Sequence, residues 1–279
     1  MDAFLTPNYL RNEERNATNI ALGKHCEELI HDIKYIRKFF DCYTSMQNDV
    51  ILPLVDVNPW LVKHGRRVIL LSVEQTLGSL ESVCALGNFS DAHILLRKCR
   101  DDLFFYLYST TSYENEEAVK NIKTWMQNDL SNLHFSCVLK SIGSSSKLSE
   151  VVKKYNLQKS FNTIGKKLND FTHGNGMSLY NKRYEHYREG ELKEICDSLK
   201  DALNHIVVTF VFLEALCNPM SLMGNHYVDY LDCGLTPLDG SEYWVSAYVT
   251  DFFNDKKKFL DEDCAKYLQD NTGMQLLDN

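Results

Sequence analysis

From Asn12 to Tyr43 apolar side chains return every three or four positions: Ala17, Ile20, Ala21, Cys26, Leu29, Ile30, Ile33, Ile36, Phe39, Phe40 and Tyr43. That rhythm predicts a long amphipathic helix, because side chains three and four apart share one helical face. The segment Ile51 to Trp60 is bracketed by Pro53 and Pro59 and reads as a loop. A second helix is predicted from Val62 to Leu86, with Val68, Leu71, Leu77, Leu80, Val83 and Cys84 facing inward. Gly87 then ends one helix and Ser90 is placed to cap the next, Asp91 to Ser109. So short a connection predicts an antiparallel hairpin.

The same periodicity predicts one helix over Glu114–Leu139, two shorter ones over Leu148–Tyr155 and Phe161–Phe171, and a long one over Glu191–Cys217 that Pro219 stops. Residues 141–147, containing Gly143 and four serines, read as a hinge. Beyond Met220 the pattern loosens. Tyr243, Val245, Ala247 and Val249 alternate as in a strand, and a closing helix is expected over Lys256–Gln269. The expected fold is all-α: a multi-helix bundle of long antiparallel helices over residues 1–219, with a small irregular C-terminal appendage over 220–279.

Composition sharpens this picture in three respects. The 279 residues include only 5 Pro and 13 Gly, which favours long helices over many short strands. Net charge is −8, so a broad duplex-DNA footprint is not expected. Lys63 to Arg67, Lys153-Lys154, Lys166-Lys167 and Lys256-Lys257-Lys258 read as solvated helix faces. The nine cysteines show no C-x-x-C pair or zinc spacing and read as small core side chains in a reducing compartment. Met1 to Arg15 is polar, and the longest apolar run, Ile206 to Cys217, is too short to span a bilayer. A cytoplasmic protein with no membrane association, cofactor or metal is expected.

Candidate chemistry concentrates in two places. Arg97 and Asp101 lie at i and i+4, with His93 one turn earlier and Arg100 beside them. The pair reads either as a helix-stabilising ion pair or as part of a polar site. His173 stands where Phe171-Thr172-His173-Gly174-Asn175-Gly176 leaves a helix, and a histidine there titrates in the range useful for proton transfer. Asn175 is a neighbouring polar candidate. Lys182 and Arg183 belong to a basic, aromatic stretch, Asn181 to Arg188, of the kind that contacts single-stranded RNA.

Two motifs, Ala92-x-x-Leu95-Leu96-Arg97-x-x-x-Asp101 and Leu168-Asn169-x-Phe171-x-His173-Gly174, occur in the order found in the HEPN superfamily. The chain resembles its Abi-like bacterial branches over roughly Val62 to Leu216. The resemblance implies a helical bundle, commonly dimeric, from antiviral-defence or toxin–antitoxin systems in which many members are metal-independent ribonucleases. It implies Arg97, Asp101 and His173 as catalytic residues. His93, Arg100, Asn175, Lys182 and Arg183 are the accompanying candidates for RNA binding. The family's usual arginine followed four to six residues later by histidine is absent here, so a rearranged site on Arg97 and His173 is expected. The alternative is a non-catalytic module in which Arg97, Asp101 and His173 fix the bundle or recognise a small ligand or partner protein. A third reading is a complex subunit that docks a partner through its C-terminal region, with Tyr243, Trp244 and Tyr248 exposed.

Overall fold

A computed structural model of the chain describes residues 26–46, 66–111, 115–126, 134–173, 189–240, 245–259 and 262–274. Eleven α-helices occur among them: α1 Glu27–Met46, α2 Arg66–Ala85, α3 Phe89–Thr111, α4 Glu116–Met126, α5 Phe135–Ile142, α6 Ser149–Lys154, α7 Leu157–His173, α8 Glu189–Cys217, α9 Asn225–Asp232, α10 Ala247–Lys256 and α11 Glu262–Thr272. Two 3-10 turns, Pro219–Leu222 and Lys257–Phe259, complete the described elements. The described residues contain no strand, only an isolated bridge between Met223 and Val245. The fold is the expected all-α bundle.

Helix α3 is its axis, packed against α2, α5, α7 and α8. Phe104 meets Phe161 of α7 at 4.5 Å and Phe135 of α5 at 5.4 Å, while Tyr106 meets Phe210 of α8 at 5.6 Å. These rings bury large apolar areas and favour offset or edge-on contacts, which fixes the neighbours around α3. The α2–α3 hairpin forms as the Gly-Asn connection implies. Gly87 adopts φ 69°, the left-handed conformation that glycine takes without a Cβ clash. The Asn88 carbonyl accepts the Ala92 amide at 3.1 Å, so α3 starts at Phe89 and Ser90 lies inside it rather than capping it.

A polar knot crosses the core. The Tyr43 and Tyr106 hydroxyls donate to Glu214 Oε1 at 2.7 and 3.3 Å, and Asn218 Nδ2 donates to the same oxygen at 2.9 Å. Burial first, then the Glu214 charge, pushes the Tyr43 pKa well above its usual 10.

Several expectations are corrected. The inward face of α2 is Ile69, Leu70, Val73, Leu77, Leu80 and Cys84, while Val68 is 63% and Leu71 37% exposed. The stretch Arg67–Ala85 is long and apolar enough by length and composition to cross a membrane, with a third of its most apolar window buried; it packs between α1 and α3. The helix expected over Glu114–Leu139 is two, with extended backbone at His134 starting α5. The alternation around Val249 is helix α10, whose Val249, Phe252 and Phe253 join the main core because contact with α1 overrides a short period-two pattern. Tyr248 is not an exposed docking residue; it packs on Phe39 at 5.4 Å. Tyr243 and Trp244 lie outside the described residues. Lys256 is 2% exposed rather than solvated, and its Nζ reaches Asp32 at 3.2 Å and Asp255 at 3.0 Å. Cys26 and Cys196 are not free core thiols but form a disulfide between the start of α1 and α8.

Candidate functional site

The apolar stripe of α3 runs Phe89, Ala92, His93, Leu96, Cys99, Arg100, Leu103. Arg100 therefore occupies a core position, four residues after Leu96 and three before Leu103. Its side chain is 3% exposed, against 27% for Arg97. A guanidinium so placed needs a counter-charge and filled donors. Asp101 Oδ1 accepts from Arg100 Nε at 2.9 Å and from Nη2 at 2.6 Å. The Arg100 guanidinium also lies 4.0 Å from the Phe135 ring centroid, a cation–π contact. Burial pulls the Arg100 pKa down from its usual value, and Asp101 opposes that shift.

On the facing helix α7, Gly165 makes room for this arrangement. A Cβ there would stand 2.9 Å from Arg100 Nη1, so the guanidinium would have to shift from its place. Mid-helix glycine costs about 1 kcal/mol relative to alanine, a cost offset here by the close approach it allows. Arg97 sits one turn before Asp101, its Nε 3.6 Å from Asp101 Oδ2. The carboxylate thus bridges both arginines.

The two arginines line a cleft of about 540 Å³ between α3, the start of α5 and α7. Lys166, Asn169 and Asp170 line it from α7, and His134 and Phe135 from the start of α5. Its volume is in the range of small-ligand sites, ~300–1,000 Å³. Arg97, Arg100 and Lys166 outnumber the one carboxylate on its walls, Asp170, so it suits an anionic group. A phosphate oxygen takes charge-assisted hydrogen bonds from guanidinium and ammonium donors.

The sequence-derived candidates divide among several places. Arg97, Arg100 and Asp101 come together as described, but the buried arginine is Arg100. His93 turns elsewhere: Nδ1–H donates to the Phe89 carbonyl at 2.6 Å and the ring stacks on Phe171 at 3.8 Å. It lines a separate cavity of about 920 Å³ against α7 and α8, along with Lys167 and His205. His173 is the last residue of α7. Its side chain lies outside the described residues, as do Asn175, Lys182 and Arg183.

Sequence reasoning missed His134, Gly165 and Lys166. His134 was hidden by merging α4 and α5, although the run Phe135, Val138, Leu139, Ile142 marks a separate helix start. Among the described residues no three His, Cys, Asp or Glu side chains cluster in a way that would hold a metal ion. Comparison of the chain with family models, curated proteins and solved structures finds no match.

Proposed function

We propose that the cleft binds a phosphodiester of single-stranded RNA, and that the chain is a HEPN-like, metal-independent endoribonuclease. The observation that carries this reading is Arg100, a buried guanidinium at the wall of a cleft that also holds Arg97, Lys166 and His134. Arg97 and Arg100 stabilise the charge that develops on the pentavalent phosphate, where preorganised donors contribute most to rate. Asp101 orients both guanidinium groups. His134 and His173 serve as the proton-transfer pair. One takes the proton of the 2′-hydroxyl as its oxygen bonds to phosphorus. The other protonates the departing 5′ oxygen, leaving a 2′,3′-cyclic phosphate and a 5′-hydroxyl. The resemblance noted above supports a place in a bacterial antiviral-defence or toxin–antitoxin system, acting as a homodimer.

The test is induced expression with total-RNA analysis, wild type beside Arg97→Ala, His134→Ala and His173→Ala, each checked for folding by circular dichroism. The reading expects growth arrest and RNA fragments with cyclic-phosphate ends, lost in the folded variants. Intact RNA, both in cells and with purified wild type on an oligoribonucleotide, overturns cleavage. If the purified protein still binds that oligonucleotide, the cleft is a non-catalytic binding module. The Arg100–Asp101 pairing fills two donor sites before any ligand arrives and so favours a third outcome, neither cleavage nor binding, in which these residues fix the bundle.

A further inference from the structure

Phe135 and Asp101 stand at a junction. Phe135 lines the cationic cleft and also a second slot of about 370 Å³. Asp101, which bridges the two arginines, lines the same slot. Its other walls are Val68, Ile69, Phe105, Trp125 and Val138, from α2, α3, α4 and α5. Val68 is 63% and Trp125 42% exposed. Trp125 is held by Phe105, with ring centroids 4.3 Å apart, so its orientation is set before anything binds. The polar end of the slot holds Ser72, Asp101 and Asp102. Asp102 Oδ2 accepts from the Ser72 hydroxyl at 2.9 Å and from the Lys98 ammonium.

We infer that this slot is a nucleobase subsite, taking a base joined to the phosphate held by Arg97, Arg100 and Lys166. This rests on the phosphate-binding reading of the cleft. Two observations select the occupant. Cleft and slot adjoin at the Phe135 ring, so a ligand whose charged group sits in the cleft brings its neighbouring part close to the slot. The lining changes along that path: the slot is mainly apolar, and its two carboxylates are already paired, Asp101 with Arg97 and Arg100 and Asp102 with Lys98. Its apolar walls and half-exposed Trp125 suit the face of an aromatic base rather than a second phosphate. Base-on-aromatic stacking beside a cationic track is how sequence-tolerant single-strand binding is built.

The experiment uses the full chain and two fluorescent probes: a single-stranded 2′-O-methyl RNA octamer, which resists cleavage, and an abasic backbone of the same length. The expected result is that Trp125→Ala weakens octamer binding about tenfold or more and leaves the abasic probe unaffected. Trp125→Phe retains most of the affinity, and Val68→Trp, which fills the slot from its exposed rim, weakens the octamer as Trp125→Ala does. Binding of the octamer also quenches tryptophan emission in wild type, and that quenching is lost in Trp125→Ala. If wild type binds both probes equally and neither slot variant matters, the base subsite is overturned while the phosphate reading stands. If folded wild type binds neither probe, both fail. If Trp125→Ala instead changes the sedimentation mass, the slot belongs to a contact between copies of the chain and the inference is overturned.

Discussion

The pairing of Arg100 with Asp101 makes an asymmetric prediction, because the two partners sit in different environments. The Arg100 side chain is 3% exposed, whereas that of Asp101 is 40% exposed and also faces Arg97 at 3.6 Å. Asp101→Ala leaves a buried guanidinium with no carboxylate, a situation that costs about 3–5 kcal/mol. The Phe135 ring 4.0 Å away returns part of this through its cation–π contact, on the order of 1–2 kcal/mol. The expected loss is therefore about 2–4 kcal/mol. Arg100→Met keeps most of the buried volume and removes the charge that needed pairing. Asp101 then hydrates through its exposed side and keeps Arg97, so the expected change is within about 1 kcal/mol of wild type. Urea unfolding followed by far-ultraviolet circular dichroism, read as midpoint and slope, measures both. Asp101→Asn, which retains an acceptor oxygen, should fall between them. Equal losses, or a larger loss for Arg100→Met, would refute the argument that the burden of burial lies on the arginine.

His205 gives a pH prediction. It shares a hydrogen bond of 2.7 Å with the Ser160 hydroxyl, and burial lowers its pKa below the usual 6.5. The folded state thus favours the neutral ring, and its contribution to stability is fully present above the unfolded pKa. As pH falls below about 6.5 the unfolded chain takes up a proton that the folded ring resists, so stability is lost until the folded pKa is passed. Urea midpoints from about pH 7.5 down to about pH 5 should fall more steeply for wild type than for His205→Gln; parallel profiles would sink the assignment. The register of α2 is tested by a pair of substitutions. Val68→Ser, at a 63% exposed position, should change stability by no more than about 0.5 kcal/mol. Leu70→Ala, at a 0% exposed one, should cost about 2–5 kcal/mol by the same denaturant assay.

Much of the bundle is legible in the chain because helical periodicity is a local signal. The three-and-four spacing of Leu29, Ile33, Ile36 and Phe40 predicts an inward face, and each of these residues is 2% exposed or less. Gly87 marks its turn because the left-handed conformation favours glycine wherever it occurs. Periodicity fails where two faces of one helix are both apolar. In α2 the sequence Val68-Ile69-Leu70-Leu71 offers hydrophobic residues all round, so spacing alone cannot choose which face meets α1 and α3. At Val249 a few alternating residues resemble a strand until contact with α1 is considered. The disulfide is illegible for a related reason: Cys26 and Cys196 are 170 positions apart, and only packing of α8 on α1 brings them together.

The candidate site divides along the same line. That α3 carries Arg97, Arg100 and Asp101 within one turn is a property of the sequence, since helical spacing alone places them on adjoining faces. The burial of Arg100 was legible too, from its place between Leu96 and Leu103 in the apolar stripe. Which arginine meets the cleft wall, and what stands opposite, depended on α7 approaching closely enough at Gly165 to receive Arg100 Nη1. It depended as well on α5 beginning at His134, well apart from α3 in the chain, yet lining the same cleft. The chain by itself determined the helices and the polar residues each carries, because those follow from interactions a few residues long. Only the tertiary structure decided which of those residues share a cavity, because the packing of α3 against α5 and α7 joins residues that no local spacing relates.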